Sequence, residues 1–335
     1  YGRDMAKRSD WIHHFSAAEL AELHEVTMAA DASGRDLTEF TLQDFPLPAL
    51  RPTLMAAQRE LLRGRGFQVF RGVPVERYTK RQAAILYWAI GLNLGEPVSQ
   101  NAAGHLLGHV TNSGLNYADP EVRGYQTKAR LAYHTDSSDV VGLLCLKKSK
   151  SGGLSSIVSS TTLWNELVAR QPAMARILMG NFHRTRWGEV PAGKNPWCSN
   201  PIFAPCDGYM VASYVRSAIH KGQNIPGVPK LTPAQIEAFD FLDSLAMDPE
   251  IHLDMELEPG DIQIVSNHFI LHSRTAYEDH PEPERRRYLM RLWLACADGP
   301  AIPASITERL GLTASGRPAG ITVPGVVPIA PVDIH

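Results

Sequence analysis

The sequence contains few cysteines, and no two of them stand close together. Only four are present, at positions 145, 198, 206 and 296, and no C-x-x-C pair occurs. Reduced thiols in a cytoplasmic protein are the simplest interpretation of this pattern, so we predict a cytoplasmic location. The chain begins with Tyr1 rather than Met, and the sequence does not establish the native N-terminus.

Excess positive charge and long apolar runs are also absent. The 33 Lys and Arg residues against 35 Asp and Glu residues give a net charge of −2. This balance argues against nucleic acid or an anionic membrane surface as the main partner. No apolar run approaches the ~18–20 residues that a membrane-spanning helix needs. With 44% hydrophobic and 20% charged residues over 335 positions, the composition is that of a globular protein with a substantial core.

Neither an internal repeat nor a clear linker divides the chain, so we predict one domain over residues 1–335. Short alternating or apolar segments predict strands at 66–72, 140–146, 253–257, 261–265 and 288–295. Helices are predicted at 17–31 behind the N-cap Ser16, and at 50–63, 79–94, 162–170 (N-cap Thr162), 172–179 and 233–246. A helical extension thus covers 10–64, and a proline-rich tail covers 311–335. Many short strands with helices outside them favour a mainly β fold with flanking helices.

The segment Tyr133-His134-Thr135-Asp136 carries the first candidate site. In an extended strand, residues two apart point to the same face with Cα atoms roughly 6.6 Å apart. His134 and Asp136 are therefore placed to meet on one metal ion. The pattern alone is common, and it becomes informative only with a third ligand downstream. The following Ser137-Ser138-Asp139 has no predicted role beyond shaping the loop.

His272 is the predicted third ligand, 138 positions after His134. Two histidines and one carboxylate form the facial triad of non-haem Fe(II) sites that activate dioxygen. His268 is the alternative. We prefer His272 because it follows the apolar run Phe269-Ile270-Leu271 and precedes Ser273-Arg274.

Two arginines, Arg287 and Arg291, lie on a strongly apolar predicted strand. Arginine there is costly unless it meets an anion, and residues four apart on a strand share a face. Both side chains are therefore expected inside the barrel, within reach of acidic groups. An internal ion pair with Asp or Glu is the alternative for each of them.

In combination these segments resemble the TauD/TfdA-like (taurine dioxygenase) family of Fe(II)- and 2-oxoglutarate-dependent oxygenases. The resemblance covers roughly residues 60–297. It rests on the motifs Tyr133-His134-Thr135-Asp136, Gly152-Gly153-x-Ser155, Pro259-Gly260-Asp261, Asn267 through His272-x-Arg274, and Arg287-x-x-x-Arg291. The resemblance implies a double-stranded β-helix, a cupin-like jelly-roll barrel with iron at its mouth.

The resemblance also implies roles for single residues. His134, Asp136 and His272 would bind Fe(II), and Arg287 would pair with the distal carboxylate of 2-oxoglutarate, for which a guanidinium fork is well shaped. Ser155 would assist Arg287, where the family usually has Thr; Ser156 and Thr161 are alternatives. Asp136 disfavours halogenation, because related halogenases carry Ala or Gly there. Arg291 matches a position that contacts an acidic group of the substrate. Arg286 is an alternative, because the motif can also be aligned one residue earlier.

The implied reaction consumes 2-oxoglutarate and O₂, releases succinate and CO₂, and oxidises an unactivated C–H bond of a small anionic substrate, such as an amino acid or another carboxylate. Hydroxylation, desaturation and cyclisation all remain open. Further candidates for substrate contact are Asn101, Asn116 and Tyr133. A zinc-type hydrolase or lyase and a non-catalytic metal- or ligand-binding barrel are the alternative functions. The sequence does not decide between a monomer and a homo-oligomer.

Overall fold

The computed structural model describes residues 1–115, 119, 122, 124–190 and 193–333, with the backbone alone at 308–310. The helices are α1 (Gly2–Met5), α2 (Ala17–Ala32), α3 (Arg51–Arg63), α4 (Lys80–Leu94), α5 (Ser160–Arg170), α6 (Pro172–Leu178), α7 (Arg216–Gly222), α8 (Pro233–Ala246) and α9 (Ala304–Leu310). Short 3₁₀ helices lie at Leu37–Glu39, Leu42–Asp44, Val75–Arg77, Gly124–Gln126 and Pro283–Arg285.

The strands are short and numerous, as predicted. They are β1 (Ile12–His14), β2 (Phe67–Arg71), β3 (Glu96–Pro97), β4 (Leu107–Val110), β5 (Leu131–His134), β6 (Val140–Lys147), β7 (Ser151–Gly152), β8 (Ser155–Ser159), β9 (Phe182–Thr185), β10 (Trp197–Asn200), β11 (Phe203–Cys206), β12 (Tyr209–Ala212), β13 (Leu253–Met255), β14 (Ile262–Ser266), β15 (Ile270–Arg274), β16 (Tyr277–Glu278) and β17 (Tyr288–Ala295).

Two sheets form the barrel. The larger one has the strand order β1-β2-β14-β6-β17-β3, with β4 also paired to β17, and the smaller one has the order β13-β8-β15-β5. Their inner faces share one apolar cluster, to which the larger sheet contributes Val69, Val141 and Trp293 and the smaller sheet Ile157 and Ile270. Facing sheets around a common core are the predicted double-stranded β-helix, so the predicted fold is confirmed.

Helices cover the outer faces of both sheets. Helices α2, α3 and α4 pack on the larger sheet through a cluster that includes Leu23, Leu61 and Ile85 with Leu144 of β6. On the smaller sheet, Leu163 of α5 belongs to a second cluster with other side chains of α6 and α8. Strand β6 reads as a continuous apolar run because its side chains alternate between the barrel core and the helices.

Two predicted elements differ in detail from the structure. Helix α5 begins two residues before Thr162, because the side chain of Ser159 caps it by accepting a hydrogen bond from the Thr162 N–H. The tail beyond residue 310, predicted only as proline-rich, returns to the body of the protein. It forms bridges to Ser99 through Gly320 and to His105 through Ile329, and it carries Arg317 into the interior, where that side chain is only 7% exposed.

Among the described residues, no helix is both long and apolar enough to cross a membrane.

Candidate active site

The two predicted histidine ligands lie on neighbouring strands of the smaller sheet. His272 of β15 is directly paired with His134 of β5 in antiparallel register. Directly opposed residues share a face of the sheet, and the two rings lie 4.3 Å apart between centroids. The strand pairing therefore brings together two side chains that are far apart in the sequence.

Asp136 completes a compact cluster immediately after β5. Its carboxylate oxygens lie 3.9 Å from His134 Nε2 and 3.6 Å from His272 Nε2. One ligand atom from each of the three residues falls within 4.8 Å of the others. Two imidazole nitrogens and one carboxylate oxygen in this arrangement fit an Fe(II) ion with open coordination positions.

His134 is prepared to act as a neutral ligand. Its Nδ1 lies 2.9 Å from the carbonyl oxygen of Ala132, and a proton donated there leaves Nε2 with a free lone pair towards the cluster. Burial, followed by the nearby His272, lowers the pKa of His134 to about 4. The imidazole is therefore uncharged near neutral pH, which is the form that binds metal.

Asp136 is held ionised and in place by groups on three segments. Burial alone would raise the pKa of its carboxyl group, but Arg291 and the two histidines outweigh burial and bring the pKa below its usual value. The Trp293 indole Nε1–H donates to Asp136 Oδ2 at 2.9 Å. The backbone N–H of Asp136 donates to Asn267 Oδ1 at 2.9 Å. The carboxylate thus has a fixed orientation and a lasting negative charge.

Replacing Trp293 with phenylalanine is expected to weaken Fe(II) binding roughly 10–100-fold, the usual cost of losing a partner that orients a metal ligand. The reason is the lost Nε1–H hydrogen bond to Asp136. Anaerobic Fe(II) titration measures the effect. Trp88→Phe is the matched control, because the Trp88 Nε1 is buried and has no hydrogen-bond partner among the described residues. Equal Fe(II) affinity in Trp293→Phe and wild type would refute the orienting role.

His268, the alternative ligand, has a different role. Its Nε2 lies 2.7 Å from Asp139 Oδ1, and Asp139 is completely buried. Arg317 donates from Nε and Nη2 to the same carboxylate, at 2.9 and 2.6 Å, and the backbone N–H of Cys296 donates at 2.8 Å. The loop motif that had no predicted role therefore anchors the C-terminal tail beside the cluster.

Arg287 lies inside the barrel, close to the Gly152-Gly153 turn. It is 6% exposed, and its Nη1 has no hydrogen-bond partner among the described residues. A Cβ added to Gly153 would lie 3.2 Å from Arg287 Nε, and both glycines have positive φ angles, 71° and 75°. The turn therefore needs glycine to leave room for this guanidinium. Arg286, the alternative in register, is exposed.

Ser155 is buried on the inner face of β8. Its hydroxyl donates to Gln263 Oε1 at 2.8 Å. The residue directly opposite on β15 is Arg274. Ser155 thus lies at the inner end of the Gly-Gly turn, as the motif predicts, with its hydrogen bond directed to β14 of the facing sheet.

Arg291, His134 and Asp136 border a cavity of about 460 Å³. The Nε–H of Arg291 donates to Gln100 Oε1 at 2.7 Å, and its Nη1 lies 3.7 Å from Asp136 Oδ2. The rings of Tyr125 and Trp293 lie against its guanidinium. Other charged side chains of the cavity wall are Arg186, Glu189, Lys194 and Arg216.

The remaining candidates for substrate contact differ in position. Tyr133 contributes to the cavity wall, but its hydroxyl lies 2.5 Å from Ser156 Oγ in the protein interior, because adjacent strand residues point to opposite faces. Asn101 shapes its own loop by accepting hydrogen bonds from the N–H groups of Ala103 and His105. Asn116 lies outside the described residues.

Sequence analysis missed Trp293, Gln100 and the tail segment at 320–324, all of which surround the cluster or its cavity. Trp293 had a usable signal, since it stands two residues after Arg291 on one strand and so shares its face. Neither Gln100 nor the tail carries such a signal, because only the folded chain brings them to the barrel mouth.

The comparisons with known proteins agree with this geometry. The model of the "Taurine catabolism dioxygenase TauD, TfdA family" matches residues 33–293. FR-33289 synthase of Streptomyces rubellomurinus is 31% identical over 322 residues, which cover 92% of this chain and 93% of that protein. The taurine hydroxylase-like protein SAT17 of Stachybotrys chartarum is 26% identical over 302 residues, covering 87% and 77% respectively.

Among solved structures, an asparagine oxygenase in complex with Fe(II), 2S,3S-3-hydroxyasparagine and succinate has a TM-score of 0.64 at 16% identity. The alignment covers 91% of this chain and 98% of the asparagine oxygenase. At this identity the likeness concerns the fold, and it confirms the barrel.

Fold and family together define the class of enzyme: an oxygenase that uses Fe(II), 2-oxoglutarate and O₂ to oxidise a small substrate. The chain belongs to the taurine catabolism dioxygenase TauD, TfdA family. The predicted family, enzyme class and cofactors are therefore confirmed.

Proposed function

We propose that His134, Asp136 and His272 bind the Fe(II) ion and that Arg287 binds the distal carboxylate of 2-oxoglutarate. The observation that carries the proposal is the paired register of the two histidines with Asp136 beside them. Arg287 is buried, and its Nη1 has no hydrogen-bond partner among the described residues. This supports its assignment to the distal carboxylate, because a buried guanidinium is stable only when an anion or acceptor satisfies it.

In this arrangement the protein supplies binding, orientation and a closed environment, while iron, when bound, supplies the activation of dioxygen. Trp293 and Asn267 hold Asp136 in one orientation. Arg287 fixes the keto acid at its far end. The cavity wall beside Arg291 would hold the substrate next to the metal site.

We further propose that the substrate is a small anion. Arg291, Arg186 and Lys194 line the cavity, which is within the usual size range for small-molecule sites of about 300–1,000 Å³. Taurine and asparagine, named in the family description and in the asparagine oxygenase structure, both carry an anionic group. An amino acid or other small carboxylate is the substrate class that this cavity favours.

A spectroscopic experiment tests the proposed ligand set. Anaerobic addition of Fe(II) and 2-oxoglutarate to the wild type is expected to give a weak visible charge-transfer band. His272→Ala is expected to lose the band, because it removes one of three metal ligands. His14→Ala, at an exposed histidine, is the control and should keep it. A wild type without the band, or a His272→Ala variant with an undiminished band, would contradict the proposal.

A zinc-type hydrolase or lyase and a non-catalytic barrel are not favoured, since neither requires a buried arginine and a Gly-Gly turn beside the metal cluster, and the family match is to dioxygenases. The cytoplasmic location stays a prediction.

A further inference from the structure

Three buried polar side chains, Arg274, Tyr277 and Arg287, lie close together beyond the metal-ligand cluster. They are 5%, 4% and 6% exposed. The two guanidinium carbons lie 4.6 and 5.2 Å from the centroid of the Tyr277 ring. All three belong to the segment from the end of β15 to the start of β17. They therefore form one buried group with two positive charges.

This group has more hydrogen-bond donors than acceptors. Arg274 Nε and Nη1, Tyr277 Oη and Arg287 Nη1 have no well-aligned hydrogen-bond partner among the described residues. Nη2 of Arg274 is satisfied by the carbonyl oxygens of Thr127 and Ala129, and the Tyr277 hydroxyl interacts with the Arg287 guanidinium. A buried charged donor without a hydrogen-bond partner costs more free energy than a neutral donor without one. The unpartnered atoms of this group therefore indicate a binding site for an acceptor.

The nearby charge of Asp279 meets only part of this demand. Asp279 is the acidic side chain next to the group, and its Oδ1 accepts from the backbone N–H of Arg287 at 2.9 Å. Within the described residues, no carboxylate forms a salt bridge with either arginine. Two neighbouring guanidinium ions in a protein interior require a compensating anion, and a carboxylate matches their planar donors.

The strand register places Arg274 on the same face of β15 as His272 of the metal-ligand cluster. Arg274 stands two residues after His272 on β15, so both side chains share the inner face, with Cα atoms about 6.6 Å apart. The residue opposite Arg274 on β8 is Ser155, and the apolar neighbours Ile157 and Ile270 on the same faces belong to the barrel core. A dicarboxylate held at one end by the metal site would thus have Arg274 within the barrel to receive its other end.

We propose that Arg274, together with the Tyr277 hydroxyl, is a second cationic binding residue for the distal carboxylate of 2-oxoglutarate, acting beside Arg287. This inference rests on the proposed function. It states that two guanidinium ions, not one, select a dicarboxylic keto acid. The competing explanation is that Arg274 only pins the loop of Thr127 and Ala129.

Two keto acids separate these explanations. 2-Oxoglutarate carries the distal carboxylate and pyruvate lacks it, while both present the same keto acid end to iron. In anaerobic titrations of the Fe(II)-loaded protein, Arg274→Met is expected to raise the Kd for 2-oxoglutarate roughly 10–100-fold, the usual effect of losing hydrogen bonds to a charged group. The Kd for pyruvate should change less than about 3-fold. Arg286→Met, at the exposed neighbour of Arg287, is the control and should match the wild type.

Tyr277→Phe provides a milder variant that removes a single hydroxyl, in case Arg274→Met does not fold. It is expected to weaken 2-oxoglutarate binding several-fold, within the range for one hydrogen bond, and to leave pyruvate binding unchanged. Equal losses for both keto acids, or an unchanged Kd for 2-oxoglutarate, would overturn the inference in favour of the loop-pinning role.

A metal-free measurement separates failure of this inference from failure of the proposed function. Glutarate, which has two carboxylates and no keto group, is expected to raise the melting temperature of the metal-free wild type by binding the folded state. Arg274→Met should reduce this rise, and Arg286→Met should not. If the wild type gives no band with either keto acid, the proposed function fails; if glutarate stabilises wild type and Arg274→Met equally, the inference fails.

Discussion

Replacing Asp136 with alanine is expected to abolish 2-oxoglutarate turnover and to lower Fe(II) affinity more than about 100-fold. Loss of an outer partner of a metal ligand alone costs roughly 10–100-fold, and this variant removes the ligand itself. It also removes the negative charge that faces Arg291 at 3.7 Å, so the cluster would keep two imidazoles beside an uncompensated cation. Anaerobic Fe(II) titration and succinate formation in air measure the two effects.

Two matched variants show whether the effect belongs to the ligand. Asp136→Glu keeps a carboxylate and should retain part of the Fe(II) affinity. Asp254→Ala removes an exposed carboxylate from β13 and should behave as wild type. Fe(II) affinity within about 10-fold of wild type in Asp136→Ala, less than the loss expected for a ligand, would refute Asp136 as a ligand.

Replacing Arg317 with methionine is expected to lower the free energy of unfolding by about 3–5 kcal/mol, the usual result of removing one partner of a buried ion pair. Asp139 is completely buried and accepts two hydrogen bonds from Arg317. Without Arg317, the partners of the Asp139 carboxylate among the described residues would be His268 and the backbone N–H of Cys296. Urea unfolding followed by circular dichroism measures the loss.

An exposed ion pair gives the control for this prediction. Arg285→Met breaks a surface contact with Glu282 and should cost less than about 1 kcal/mol. The double variant Arg317→Met, Asp139→Asn should recover part of the stability lost by Arg317→Met, because it removes the stranded charge. If Arg317→Met unfolds at the same urea concentration as the wild type, the ion pair of Arg317 with Asp139 does not anchor the tail.

The same pair has a defined pH dependence. Burial alone would raise the pKa of Asp139, but the hydrogen bonds from His268 and Arg317 outweigh burial and leave the pKa below its usual value. A carboxyl group with a lower pKa in the folded state than in the unfolded chain stabilises the fold above the unfolded-state pKa of about 3.9. That contribution is lost as the pH falls towards the folded-state pKa.

Local patterns in the sequence were sufficient for much of the fold. Helix α2 begins behind Ser16 as predicted, because a capping box is a short-range interaction with Glu19. Strand β6 was predicted from an apolar run that needs burial on both faces. The start of α5 was misplaced because Ser159 and Thr162 are both good N-cap residues, and the choice between them depends on where β8 ends.

The sequence by itself determined which side chains are available for the chemistry: an His-x-Asp pair at strand spacing, a distant histidine, and arginines on an apolar strand, together typical of one enzyme family. The tertiary structure alone decided which of them meet. Strand register pairs His272 rather than His268 with His134, and the returning tail gives Asp139 its partner Arg317. Register and tail position depend on the packing of the whole barrel, and no short segment encodes them.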